Sequence, residues 1–357
     1  MLPSGNHPVN MHWTQLPAET LALLRRGTVI PAHPLALDAA RRLDVRRQRA
    51  LSRYYLDAGS GGLAVGVHAT QFAIREAGLY QPVLRLAAEE ARSWARRPTV
   101  LIAGLSGKTA QARREAQTAL GLGYHAGMLS LASMKGASIE ELVAHCAAVA
   151  AELPLVGFYL QPAVGGIHLP AEFWRRFCLI DNVIAIKIAP FNRYRTLDVV
   201  KGLVAARAEK RVTLYTGNDD HIVLDLLQPF VVKRGRKEVR VRIRGGLLGH
   251  WSVWTRFAVR LLKKLQKAKP TPQLLALDSK VTDANSAFFD VANNFAGCIA
   301  GCHEVLRRQG LLEGTWCLDP KEGLSPGQKE EIDRVYAAYP EMNDDAFVRK
   351  NLGRWLA

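Results

Sequence analysis

From Gly27 onward the chain alternates short β-branched apolar runs with longer amphipathic stretches, eight times in succession. A strand that must pass through a helix before the next strand begins cannot pair with it as a hairpin, so this alternation dictates a parallel sheet with crossover helices. The candidate strands are residues 28–31, 62–65, 99–103, 127–131, 155–159, 183–188, 212–215 and 247–251, and the clearest helical stretches are 39–56, 75–95, 109–122, 139–153, 170–179 and 196–208. Eight units over about 240 residues fit a closed (β/α)8 TIM barrel better than an open sheet. Runs such as Val183-Ile184-Ala185-Ile186 are apolar at consecutive positions. A barrel strand needs this, because one face fills the interior and the other meets the helices. The expected division is an N-terminal segment 1–26, a barrel 27–270, and a helical C-terminal extension 271–357 with helices at 288–309, 326–339 and 344–355. A stretch at 230–245 breaks the repeat: alternating Val and Arg after a Gly-centred turn predict a basic hairpin inserted before the last strand.

Composition bounds the class. With 48% hydrophobic and 22% charged residues, the 357-residue chain has the make-up of a globular protein with a substantial core. Its longest apolar stretches fall short of the roughly 18 to 20 residues that span a bilayer, so no membrane partner is expected. The polar start of the chain lacks the pattern of a secretion signal, and a cytoplasmic location with five reduced cysteines is the expectation. Cys298, Cys302 and His303 lie close together, but they fall within one helical pattern and read as buried core residues rather than a zinc site, so no metal is expected.

Three sequence features bear on chemistry. Gly107-Lys108-Thr109 resembles the end of a phosphate-binding loop, but Ile102 stands where the loop's first glycine must be, so a plain strand-to-helix turn is expected. Lys187 stands at the end of the apolar run Asn182–Lys187, pointing toward the mouth where barrel active sites sit. Desolvation there would leave part of it as free amine, the nucleophile that forms a Schiff base with a ketone; a lysine snorkelling to solvent fits the position equally well. Tyr159 ends the preceding strand and offers a phenol for proton transfer beside Lys187, or a ring packed at the rim.

These residues resemble the dihydrodipicolinate synthase and N-acetylneuraminate lyase family of Schiff-base aldolases. Tyr159-Leu160-Gln161-Pro162 matches that family's Y-x-x-P strand end, and Ile186-Lys187 its I-K. Thr216-Gly217-Asn218-Asp219 matches S-G-x-D, and Gly246, Gly249 and Ser252 match G-x-x-G-x-x-S. The resemblance implies an imine between Lys187 and a 2-keto acid such as pyruvate, with Tyr159 as proton relay and no metal or organic cofactor. It implies a substrate site formed by Val67, His68, Gly217 and Trp251. It also favours a homo-oligomer, a dimer or tetramer.

The departures narrow the substrate. Where the family has G-[TS]-T-G-E this chain has Gly66-Val67-His68-Ala69-Thr70, leaving the Val67 and His68 amides for a carboxylate; the His68 imidazole fits proton transfer and a packed, hydrogen-bonding role equally well. Ala132 and Ser133 replace a tyrosine pair, and Val164 replaces an arginine that clamps a second carboxylate, which disfavours aspartate semialdehyde. Trp251 stands where a small aliphatic residue is usual. His33, Asn192, Arg193 and Tyr194 lie on segments able to face the mouth. The charge of +16 is gathered partly in the insert, yet no aromatic residues interleave with its arginines, so nucleic acid is not an expected partner. The primary expectation is therefore a lyase acting on a 2-keto acid or a sugar-derived keto acid. A family member without catalysis, binding or assembling through its basic hairpin and C-terminal helices, is the alternative.

Overall fold

The computed structural model describes residues 10–357. A helix α1 (Ala18–Arg26) precedes strand β1 (Val29–Pro31), and six strand–helix units follow the helix α2 (Val45–Ala58). These are β2 (Gly62–Val65) with α3 (Tyr80–Trp94), β3 (Val100–Leu105) with α4 (Thr109–Gly121), and β4 (Ala126–Leu129) with α5 (Ile139–Ala150). Then come β5 (Leu155–Tyr159) with α6 (Ala171–Leu179), β6 (Val183–Ile188) with α7 (Arg193–Ala205), and β7 (Thr213–Thr216) with α8 (Ile222–Leu227). The hairpin β8 (Phe230–Arg234) and β9 (Lys237–Val241) leads into the last barrel strand β10 (Gly245–Leu248) and α9 (Thr255–Leu265). The C-terminal extension is α10 (Pro272–Phe288), α11 (Cys298–Arg308), α12 (Gln328–Ala338) and α13 (Asp345–Leu356).

All eight barrel strands pair in parallel, in the order β1-β10-β7-β6-β5-β4-β3-β2. The ring closes between β1 and β2 through an Ala32–Ala64 bridge, with the His33 N–H donating to the Ala64 carbonyl at 2.8 Å. The fold is the (β/α)8 barrel that the alternation predicts. Side chains segregate by strand parity: Ile30, Ala64, Ile102, Met128, Val156 and Leu247 fill the interior, while Val29, Leu63, Leu101, Leu155 and Leu214 pack outward against the helices. The base is plugged by the N-terminal segment, whose Leu16 and Leu24 join the interior cluster and whose Leu24 carbonyl accepts the Tyr215 hydroxyl at 2.7 Å.

Local signals explain where helices begin. The stretch 39–56 becomes helical only at Val45, because Asp44 caps the Arg47 N–H and the preceding loop carries Arg41 at φ 58°. The Ser138–Glu141 capping box starts α5, and Asn192 caps α7. The insert forms the expected hairpin, a separate antiparallel pair whose Arg234 binds Glu209 at 2.6 Å. Two differences affect the site. The last strand ends at Leu248, with His250–Ser252 coiled into a 3-10 turn. The extension is not helical from Phe288 onward: α10 stops there, Asp290, Asn294 and Phe295 take positive φ, and α11 starts only at Cys298. That break throws a short irregular segment and the start of α11 across the barrel mouth. The extension is anchored on α2, where the Tyr54 hydroxyl donates to Asp344 Oδ2 at 2.7 Å and Trp355 packs on Tyr54. Among the described residues no helix is long and apolar enough to cross a membrane.

Candidate active site

Lys187 is the last but one residue of β6, 7% exposed, and its side chain points into a cavity at the C-terminal end of the barrel. The void, counted out to its open mouth, is about 710 Å³. Room for the lysine is made by Gly217: a Cβ there would lie 2.5 Å from Lys187 Cε and 2.9 Å from Lys187 Cγ. The absence of a side chain at 217 is thus a condition for the amine to lie where it does. Burial pulls the Lys187 pKa down to about 8, against opposing pulls from Asp219 and Cys298. Its Nζ sits 4.7 Å from the centroid of the Phe158 ring, a cation–π contact that burial strengthens.

Asp219 is the second titratable group of the cavity. It lies two residues beyond Gly217, is nearly fully buried, and its Oδ1 accepts the His250 N–H at 2.8 Å. Burial raises its pKa to about 7, with Lys187 acting in the other direction. The turn that carries Gly217 and Asp219 is fixed from behind by Asp225, whose Oδ2 accepts the Thr216 hydroxyl at 2.7 Å and the Asn218 amide at 2.9 Å. Arg193 pairs with the other oxygen of Asp225, which leaves that carboxylate fully engaged. The motif quoted for its glycine therefore also supplies a carboxyl group facing the amine, which the sequence reading passed over.

Of the expected substrate residues, Val67, His68 and Gly217 line the cavity. The Val67 and His68 N–H groups donate to no acceptor among the described residues. His68 is held neutral, its pKa lowered to about 4 first by burial and then by the nearby Lys187 charge.

Tyr159 and Trp251 do not line it. Leu155 pairs with Val183 but Val156 pairs with Ala185, so Ile184 is an extra residue in β6. Beyond this bulge Phe158 stands opposite Lys187 and Tyr159 opposite Ile188. Neighbours in register share a face, so Phe158 enters the cavity and Tyr159 turns outward, packing on Trp174 with its hydroxyl accepting the Leu169 N–H at 3.2 Å. Counting residues from motif to motif could not reveal which face each would take. Trp251 sits on the 3-10 turn rather than in a strand, and its ring lies in the layer between barrel and helices, where a Cβ at Gly246 would be 2.4 Å from it. The other mouth candidates are also occupied elsewhere. His33 bonds Ser52 Oγ at 2.9 Å, Asn192 caps α7, Arg193 pairs with Asp225, and Tyr194 is exposed.

The roof comes from the C-terminal extension. Phe289, Phe295, Cys298, Ile299, Cys302 and His303 all line the cavity. Cys298 and Cys302 do share a helix face, as their spacing predicts, but that face covers the mouth. Burial raises both thiol pKa values, so neither is a thiolate at neutral pH.

A profile of the dihydrodipicolinate synthetase family matches residues 26–229. The chain belongs to this family. Family membership carries, in general, the chemistry of a class I aldolase-type lyase. Among solved structures, the chloride-inhibited dihydrodipicolinate synthase of Acinetobacter baumannii complexed with pyruvate is similar at 19% identity and TM-score 0.71, over 87% of this chain and 98% of that one. CdNal of Clostridium difficile in complex with mannosamine is similar at 16% identity and TM-score 0.71, over 88% and 99%. Dihydrodipicolinate synthase of Oceanobacillus iheyensis is similar at 15% identity and TM-score 0.71, over 90% and 99%. These likenesses establish a shared fold. No match was found among curated proteins. The family profile ends at 229, so the hairpin, the last strand and the roof lie beyond it.

Proposed function

We propose that this family member is a Schiff-base lyase that makes or breaks a carbon–carbon bond, or removes water, next to the carbonyl of a 2-keto acid. The observation that carries the reading is the placement of Lys187: a buried primary amine at a barrel mouth, seated over Gly217, with the Asp219 carboxyl in the same cavity. The free amine adds to the C2 carbonyl carbon, the carbonyl oxygen leaves as water, and an iminium forms. In the cleavage direction a base takes the proton of a C4 hydroxyl, the C3–C4 bond breaks, and its electron pair passes into the iminium. An aldehyde and an enamine result. Protonation at C3 and addition of water then return the shortened keto acid and the free lysine. The iminium is itself the electron sink, so the scheme assigns no step to a cofactor.

Asp219 and His68 take the proton transfers that the resemblance had given to Tyr159. A carboxyl held near neutrality both gives and accepts protons at pH 7, and a neutral imidazole accepts them. The substrate carboxylate is assigned to the Val67 and His68 N–H groups, close to the Lys187 charge. The outward turn of Tyr159 keeps a second reading in view, a member without turnover that binds or assembles through its basic hairpin and C-terminal helices. Borohydride trapping with pyruvate and peptide mapping decides between them. An adduct on Lys187, absent from Lys187→Arg, supports the lyase; turnover retained in Lys187→Arg, or no adduct with any keto acid in folded protein, overturns it.

A further inference from the structure

The cavity is poor in groups that recognise polar substrates. Beyond Lys187 and Asp219, its polar side chains are His68, Gln161, His303 and the two protonated thiols. The remaining wall is apolar, with Val164, Leu160 and Phe191 from the barrel loops facing Phe289, Phe295 and Ile299 from the C-terminal extension. Phe191 and Phe295 meet edge to face at 5.8 Å, and both hold positive φ, so the backbone of each is bent to bring its ring to this junction. Lys187 is the only Lys or Arg among the lining residues, so the site can neutralise one carboxylate beside the amine and has no partner for a second. A neighbouring pocket shares His68, Val164, Phe295, Cys298 and Ile299 with the cavity and carries Gln71, Asn294, Asp319 and Glu322. A polyhydroxylated tail would lose most of its hydrogen bonds to water against a wall that returns few of them.

We infer that the substrate is a 2-keto acid whose distal group is apolar, an aromatic ring or a branched aliphatic chain, selected by Phe295 and Ile299 of the C-terminal roof. The inference rests on the Schiff-base reading of the same cavity. It assigns the extension a part in specificity: the irregular segment after α10 and the first turn of α11 supply the surface against which the released aldehyde packs. Each additional buried methylene in that aldehyde should raise kcat/KM about fourfold until the wall is filled.

The test takes full-length protein and a size-matched series of 4-hydroxy-2-oxo acids ending in propyl, phenyl, dihydroxypropyl or carboxyethyl groups. Pyruvate release is measured for each, and Lys187 trapping with pyruvate is measured in the same preparation. Propyl and phenyl substrates are expected to exceed the other two at least tenfold in kcat/KM. Ile299→Ser is expected to narrow that ratio several-fold, and Val164→Arg to raise the carboxyl-ended substrate relative to the phenyl one, with thermal melts confirming that both variants fold. Trapping on Lys187 with equal or reversed preference overturns the apolar assignment and leaves the lyase standing. No adduct on Lys187 with pyruvate or with any of the series overturns both.

Discussion

Gly217→Ala tests the geometry of the site without touching a reacting group. Gly217 does not need positive φ, so alanine is allowed by the backbone, and the Gly217 N–H keeps its 2.7 Å bond to the Ile188 carbonyl. The new methyl carbon, however, would stand 2.5 Å from Lys187 Cε and 2.8 Å from Ala189 Cβ. Ordinary carbon–carbon contact begins near 3.4 Å, so the lysine chain must move by about 1 Å. Overpacking of this kind costs about 1 to 3 kcal/mol, which a domain with roughly 5 to 15 kcal/mol of stability survives folded. A displacement of about 1 Å in a reacting group costs on the order of 100-fold in rate. The variant should therefore melt cooperatively, a little below the parent, while its rate of borohydride-trapped adduct at saturating pyruvate falls about 100-fold. Trapping at the parental rate in folded Gly217→Ala would refute the claim that this glycine seats the nucleophile.

Other consequences are as direct. Asp219→Asn keeps an acceptor for the His250 N–H but removes the charge that raises the Lys187 pKa, so the pH midpoint of adduct formation should move down and the maximal rate should fall; an unchanged pH profile removes Asp219 from the site. Tyr159→Phe should leave adduct formation within about twofold and cost about 1 kcal/mol through the lost Leu169 contact, and a large loss of rate with intact folding would contradict the outward placement. Tyr54→Phe strips Asp344 Oδ2 of a donor and the Thr255 N–H of an acceptor, both buried, and should lower stability by about 1 to 3 kcal/mol in urea unfolding; no loss would contradict this account of how the extension is anchored. Five histidines, at 33, 68, 125, 250 and 303, have pKa values lowered by desolvation from 6.5 to about 4. The unfolded chain therefore takes up protons first, and stability is lost as pH falls from 6.5 toward 4. Asp219, whose folded pKa is raised, acts in the opposite direction over the same range. Urea midpoints that do not fall between these pH values would refute the burial of these imidazoles.

How much of this was legible in the chain follows from the range of each signal. Alternation of β-branched runs with amphipathic stretches is local, and a strand apolar at consecutive positions has only one kind of home, so the barrel, the hairpin and the place of Lys187 at a strand end could all be read in advance. The Asn192 and Ser138 caps are equally local. The direction of Tyr159 was not, because the pleat assigns faces by register, and one extra residue at Ile184 exchanges Phe158 for Tyr159 beside the lysine. Nor was the exclusion of Trp251, which followed from the last strand stopping at Leu248. The roof was hidden for a different reason. Cys298 and Cys302 carry the same apolar spacing whether their helix covers a core or a cavity, and only the break after Phe288, together with the anchoring of α13 on α2, brings that face over the mouth. Short-range periodicity set the barrel and placed a lysine at its mouth. Tertiary packing alone decided which groups meet that lysine, because that depends on contacts between segments more than two hundred residues apart, as His68 is from Cys298, whose relative placement no local pattern encodes.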